Sequence, residues 1–361
     1  MVHLVNFSVS SRNHKLIIDA KATFVNPAPS FITFTSPPLP FVIWVPPPPD
    51  ATRIPLVPIA AVTADPFTLT HPNITLSLRG KALSVPKSAA PALSSLVSDY
   101  LSGLDHPIAI TSPFELFANY TANTTFPAPR PRPELLRNVT IEDMKIRPSG
   151  TTILANGVVK ARIALPEGMD ATLDINRILP DALIFDGALP TGTPQESPVS
   201  STPTKTMTGA DDDDDVPPAP PLPSPLPPRA FARVRPASWL SAVTMRTPPR
   251  RDWNERGNTT LLLSAWFVDV PLEVLPGRER QFRSFVGKVI FHPRDGALAG
   301  VRGVAAVNAR IDGLMLEKDQ DRRETVGDGD EAEEIDSVRK RGGLVLEGLP
   351  FQGSVRVGRK R

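Results

Sequence analysis

Cysteine is absent from the chain. That excludes disulfides, thiolate metal sites and cysteine nucleophiles, while leaving the redox compartment open, because a secreted chain with adequate cores needs no covalent staples. Glycine is outnumbered by proline, 22 to 43, and so much proline caps helix length and favours short strands separated by turns. An excess of charge of one sign is missing too. Forty Lys and Arg nearly cancel 38 Asp and Glu, and the net +2 offers no long-range field for nucleic acid or an anionic membrane. No uninterrupted apolar run reaches the ~18 residues of a spanning helix. The opening Met1-Val2-His3-Leu4-Val5-Asn6 has neither the basic nor the apolar segment of a secretion signal. The most apolar stretch, Phe31 to Val45, carries Pro37, Pro38 and Pro40 and runs into Pro46 to Pro49, so it reads as a Pro-bounded pair of short strands.

Chemistry-bearing patterns are equally scarce. The five histidines, His3, His14, His71, His106 and His292, lack the i, i+2 or i, i+4 spacing of a metal pair, so no metal is expected. His106 beside Asp105, and His292 in the turn His292-Pro293-Arg294-Asp295-Gly296, can each be drawn as half of a catalytic pair, but no serine elbow accompanies either and turn residues are the better reading. The run Asp211 to Asp215 is contiguous, without the interleaved ligands, central Gly and closing Glu of a calcium loop. No Gly-rich phosphate loop exists, and Arg250-Arg251 and Arg359-Lys360-Arg361 lack the interleaved aromatics that stack bases. No cofactor, no nucleic-acid partner and no enzymatic activity are therefore expected. Trp44, Trp239, Trp253 and Trp266 read as core or strand-edge packing before they read as a cleft.

What the chain does contain is Asn-x-Ser/Thr sites: Asn6, Asn73, Asn119, Asn123, Asn138 and Asn258. About two would arise by chance from this composition, so the excess points to N-glycosylation, against the plainer reading that Asn and Thr share turns and strand edges.

At 361 residues the chain can form two domains with their own cores. Lys15 to Phe24 alternates as a half-buried strand, with Leu16, Ile18, Ala20, Ala22 and Phe24 on one face, and stops at Asn26-Pro27. Asn73 to Arg79 is a second strand. The spacing of Leu93, Leu96, Val97, Tyr100 and Leu101 predicts one helix, capped by Ser88, with Pro91 in its first turn and Gly103 at its end. Ile108 to Tyr120 reads as a strand broken at Pro113, and Pro127 to Pro133 as a polyproline-like linker. Beyond it, Val139 to Ile146 and Val159 to Leu165 form a hairpin, Asp174 to Leu179 reads as a short helix, and strands return at Ala182 to Phe185, Thr259 to Val270, Phe285 to His292, Val304 to Ile311, Leu344 to Leu346 and Ser354 to Val357. Two stretches, Leu189 to Pro228 and Glu317 to Arg341, are too polar or Pro-rich to order themselves and read as disordered insertions. The expected architecture is mainly β. It comprises a β-sandwich domain over 1–126, a linker over 127–137, and a second β-sandwich over 138–361 interrupted at about 189–228 and 317–341.

Several segments carry a family resemblance. The strand ending at Asn26-Pro27 resembles the strand-to-Asn-Pro signature of late-embryogenesis-abundant type 2 (LEA-2) domains. Pro91 to Gly103 leading into Ile108 to Ile110 is similar to the helix-to-strand passage of the fungal vacuolar membrane proteins that terminate autophagy, and Ala164 to Met169 through Asp186-Gly187 is similar to their C-terminal domain. The resemblance implies tandem LEA-2-like or immunoglobulin-like domains in the vacuolar lumen, behind a single N-terminal anchor that this chain lacks. It implies a non-catalytic sensing or scaffolding part with a protein partner, and it makes this chain the C-terminal portion of a longer protein. Members of that family are also described as pre-rRNA processing proteins, to which no extended basic aromatic surface here corresponds. Two alternatives stand beside this reading. One is a lipid-binding LEA-2-like module, in which sheets wrapped against the helix Leu93 to Leu101 enclose an apolar cavity. The other is a cytosolic protein-binding β-sandwich.

Overall fold

In the computed structural model the described residues are 2–26, 28–47, 55–113, 121–133, 135–149, 152–189, 216–246, 260–291, 297–317 and 343–357. The N-terminal strands are β1 (Val2–Arg12), β2 (Lys15–Val25), β3 (Thr35–Ser36), β4 (Leu39–Val45), β5 (Val57–Ala64), β6 (Phe67–Thr68), β7 (Asn73–Ala82) and β8 (Val85–Pro86), followed by helix α1 (Ala90–Ser102), β9 (His106–Thr111) and β10 (Thr121–Phe126). Next come β11 (Leu136–Ser149), β12 (Thr152–Ala164), β13 (Met169–Asp170), β14 (Leu173–Asp186), β15 (Ala230–Val234), β16 (Leu240–Arg246) and β17 (Thr260–Val274). Helix α2 (Glu279–Phe291), β18 (Ala297–Ile311), β19 (Leu316–Glu317) and β20 (Leu344–Val357) complete the order. Two eight-stranded sheets dominate, so the mainly-β, sandwich-class expectation holds.

The first sheet runs β10-β9-β4-β5-β7-β2-β1-β13. It rolls around α1: Phe7 of β1 and Phe126 of β10, from opposite ends of that order, meet edge to face with ring centroids 5.1 Å apart, and Tyr100 of α1 lies 5.7 and 5.5 Å from them. Burial in this cluster pushes the Tyr100 hydroxyl up to about 12. β2 ends at Val25 because Asn26 is turned inward, its Nδ2 donating to the Thr70 carbonyl at 3.1 Å while its Oδ1 accepts from the Ala28 amide at 2.9 Å. Pro91 does sit in the first turn of α1, and Gly103 ends it at φ 73. Ser88 does not cap it. A 3-10 turn over Lys87–Ala89 precedes the helix, Ala89 takes the N-cap position, and no side chain caps it.

The second sheet joins its own edges. Along the order β12-β11-β20-β18-β14-β15-β17-β16, β12 also pairs with β17 from Ile153↔Leu272 to Ala164↔Thr260. β15 and β16 lie end to end between β14 and β17, so the ring closes as a barrel with no free edge there. Its one parallel seam among the described residues is the contact of β11 with β20, which holds two register pairs, Leu136↔Phe351 and Val139↔Gly353. A Cβ on Gly353 would stand 2.6 Å from the Val139 carbonyl oxygen, so only glycine lets these strands approach.

The halves interlock. β13 adds to β1, β19 pairs with β8, and α1 lies against β20, where Ser98 Oγ accepts from the Glu347 amide at 3.0 Å. One continuous apolar core runs from Val45, Leu93 and Leu101 to Leu346 and Leu349. The stretch 127–133 has no regular structure, and its Ala128 amide donates to Asp105 Oδ1 at 2.9 Å.

Four sequence expectations are corrected. Phe285 to His292 is not a strand. Phe282, Phe285, Val286 and Val289 recur at i, i+3, i+4 and i+7 on α2, and a reading that begins at Phe285 misses the first turn; His292 lies outside the described residues. Asp174 to Leu179 is part of β14, where a bulge between Ile175 and Arg177 resets the phase of the strand, and burial of Ile178 on one face and Leu179 on the other hides the two-residue period. The strands at Leu344 and Ser354 are one strand, β20, which carries Gly348 at φ 70 in its middle. In the Pro-rich insertion, residues 216–228 are laid against the barrel, with Pro217 buried. Residues 190–215 and 318–342 of the two insertions lie outside the described residues.

Candidate functional site

The interior of the second sheet is the most distinctive chemical environment among the described residues. Its walls come from eight strand segments. On β17, Leu263, Ala265 and Phe267 point inward at odd positions, and Val270 and Leu272 continue inward at even ones. A bulge makes this switch of phase possible. Between Phe267 and Val270 the register against β12 slips by one, Asp269 takes φ 55, and its amide donates to Asn156 Oδ1. Opposite, Gly157 leaves space for the Phe267 ring, whose Cζ would lie 2.8 Å from any Cβ there. β14 contributes Ile178, Ala182 and Ile184 by the same device, its phase reset at the bulge after Ile175.

Helix α2 covers one side of the interior. Phe282, Phe285 and Val286 face the cavity, and Phe231 of β15 stacks with Phe285 at 4.8 Å and Phe282 at 6.1 Å between centroids. Lys288 near the helix end donates to both oxygens of Asp186, at 2.8 and 2.7 Å, and so ties α2 to the end of β14.

The side chains leave a cavity of about 90 Å³. Every described residue lining it is apolar, from Leu136 and Val139 on β11 to Val355 and Val357 on β20. Water needs two to four polar partners in such a space and finds none on these walls, so the cavity suits hydrocarbon. At roughly 24 cal/mol per Å³, leaving this volume unfilled by side chains costs about 2 kcal/mol.

A second pocket of about 210 Å³ lies at the β11–β20 seam, bounded by Pro133, Leu136, Arg137, Asn138, Pro350, Phe351 and Gln352. Leu136 and Phe351 line both spaces, so they form the wall between them.

Polar groups are placed elsewhere. Asp181, 9% exposed, accepts from Arg233 Nε at 2.7 Å and from Arg235 Nη1 at 3.1 Å, and the same arginines donate to the Pro220 and Pro217 carbonyls, which is how residues 216–228 are held to β15. The hydrogen bond to Asp181 raises the Arg233 guanidinium further above its ordinary value. His106, 6% exposed, pairs through Nδ1 with Asp99 Oδ2 of α1 at 2.6 Å and not with its neighbour Asp105, whose carboxylate takes the Ala128 amide and Arg130. This dyad ties α1 to β9. Among the described residues no group of three His, Asp or Glu could hold a metal. Trp44 donates from Nε1 to Thr111 Oγ1 at 2.8 Å, Trp266 is 51% exposed on the outer face of β17, and none of the described tryptophans lines the cavity; Trp253 lies outside the described residues. Of the sequon asparagines, Asn6, Asn73, Asn123 and Asn138 are exposed, while Asn119 and Asn258 lie outside the described residues.

The lipid-binding alternative read from the sequence put an apolar cavity against α1. The apolar cavity described here lies in the second sheet, against α2. The missed signal is the pair of bulged strands, whose inward phase changes partway and so hides the length of the apolar face.

No protein-family model matches the chain, and no curated protein matches it. Among solved structures, the BSP domain of a biofilm-associated protein aligns at 6% identity over 98% of this chain, with a TM-score of 0.14. The chain spans 58% of that structure's length.

Proposed function

We propose that this protein is a non-catalytic binding protein whose second sheet takes up the hydrocarbon part of a lipid. The observation that supports this reading is the cavity of about 90 Å³ with wholly apolar walls. A core of this size has no need of such a space: one larger side chain at Ala161, Ala182 or Ala265 would fill it and recover about 2 kcal/mol. Retaining it makes sense if something else fills it. The volume matches a few methylenes, so a longer chain enters by moving Phe282, Phe285 and Val286 of α2, whose outward tie is the Lys288–Asp186 pair.

Compartment is the other half of the reading. The resemblance to fungal vacuolar membrane proteins that terminate autophagy, and the exposure of Asn6, Asn73, Asn123 and Asn138, favour a lumenal sensing or scaffolding part of such a protein, held to the membrane through an anchor outside this chain.

Two measurements test these halves separately. Titration of the purified protein with diphenylhexatriene, a fluorescent hydrocarbon without a head group, is expected to saturate at one site per chain. Fluorescence that rises linearly without saturation would refute the barrel as a binding site. Expression in a fungal host behind the natural upstream region, followed by removal of N-glycans, is expected to increase gel mobility; unchanged mobility would favour a cytosolic protein-binding role.

A further inference from the structure

We infer that the protein docks on lipid bilayers through the loop between β2 and β3, whose tip places Phe31, Ile32 and Phe34 among the acyl chains of the leaflet it meets. This contact is separate from the cavity of the second sheet and stands without it.

The tip is apolar and protrudes. Every residue from Pro29 to Thr35 is exposed, and Phe31, Ile32 and Phe34 are 83%, 38% and 55% exposed. Val25, the last residue of β2, is exposed at the same end of the sheet. Large apolar side chains gathered in this way mark a contact surface. A short ribbon carries them: Thr35 and Ser36 of β3 pair with Thr68 and Phe67 of β6, and the Leu69 amide donates to the Phe34 carbonyl at 2.8 Å.

Charge selects the bilayer as the partner. Residues 22–49 contain no Asp, Glu, Lys, Arg or His, although 28 residues at the chain's 22% would carry about six charges. The facing stretch, 66–78, has His71 as its one titratable side chain. A protein partner is recognised through a polar rim of hydrogen bonds and ion pairs, and the tip offers no ion to pair. Hydrocarbon makes the opposite demand: no charge to desolvate, and backbone groups satisfied from within. The Ile32 amide donates to the Pro29 carbonyl at 3.0 Å and the Ala28 amide to Asn26 Oδ1 at 2.9 Å, while Pro29, Pro37 and Pro38 have no N–H to strand. The outer face of β16 and β17 exposes Val243, Met245, Trp266 and Val268, but it is bordered by the ion pairs Arg246–Asp170 and Arg147–Asp269, so it serves as the control.

The test is cosedimentation of the unglycosylated protein with phosphatidylcholine vesicles; glycans are left out because Asn73 stands across the ladder from Val25. The parent is expected to partition onto them. Its partition coefficient should move less than about twofold when a fifth of the lipid is phosphatidylserine, or when salt rises from about 0.05 M to about 0.5 M, since the tip has no charge. Phe31→Ser and Phe34→Ser are each expected to lower it about tenfold, and the double variant about a hundredfold, with the melting temperature unchanged because both side chains are exposed. Met245→Ser and Val268→Ser should leave it unchanged. Because the chain has no cysteine, Ser30→Cys takes a single nitrobenzoxadiazole label. Its emission should shift to the blue on vesicles and be quenched by spin-labelled lipid, whereas a label at Ser241→Cys on β16 should do neither. Absence of partition, full partition of the double variant, or a Ser30→Cys label that stays in water on the vesicles would overturn the inference. So would self-association that depends on Phe31 and Phe34 without vesicle binding, which would make the tip a contact between copies of this chain. None of these outcomes bears on the diphenylhexatriene titration, which reads the barrel alone.

Discussion

Replacing Ala265 by Leu tests whether the cavity is a site or a packing remnant. Ala265 is fully buried on β17, lies between Val159 and Ala242 on the flanking strands, and faces the cavity. Leucine adds three carbons to a space of about 90 Å³. Filling it recovers up to about 2 kcal/mol of cavity cost, while strain from imperfect fit takes back about 1 kcal/mol or more. The net expectation is a stabilisation of about 1 kcal/mol, or a melting temperature raised by roughly 2 °C. Binding of the hydrocarbon probe should fall at least tenfold, because the same volume cannot hold both. Differential scanning calorimetry and probe titration on one preparation read both effects, with Ser264→Ala on the outer side of the strand as a control that moves neither. A variant that is destabilised by ~2 kcal/mol or more and still binds the probe normally would refute the reasoning, since Ala265 would then pack against filled core.

Other consequences follow from groups outside the cavity. The raised Tyr100 hydroxyl makes stability independent of this group below about pH 10, where folded and unfolded states both keep the proton; between there and about 12 only the unfolded state ionises, and roughly 2 kcal/mol should be lost. Urea titrations across that range should show the loss in the parent and a smaller one in Tyr100→Phe. Asp181→Asn leaves the guanidiniums of Arg233 and Arg235 without their shared carboxylate in a mostly buried position and is expected to cost about 3 kcal/mol in urea denaturation, against less than 1 kcal/mol for the exposed Arg246→Gln. Deleting residues 190–215, but not 216–228, should change the melting temperature by no more than about 2 °C, because closure cost grows only logarithmically with loop length whereas Pro217 and Pro220 receive the arginines that cover Asp181.

Local chemistry along the chain determined a good deal of this protein. Proline excess and alternating apolar residues specified many strands. The alternation of Leu16, Ala20 and Ala22 located β2, Asn26 marked its end, and Pro91 and Gly103 bounded α1. These features depend on nearest neighbours and on the two-residue period of a pleated strand, which one sequence records directly. Position in space was not recorded. The bulges at Ile175–Arg177 and Phe267–Val270 break the period that reveals a buried face, and only pairing with β18 and β12 explains why the chain changes phase there. The closure of β12 on β17, the cavity inside, the partnership of His106 with Asp99, and the meeting of Leu136 with Phe351 at the seam join residues up to 215 positions apart. Such contacts are selected by total burial and register across the whole ring, a cooperative property of the folded chain that no local pattern carries.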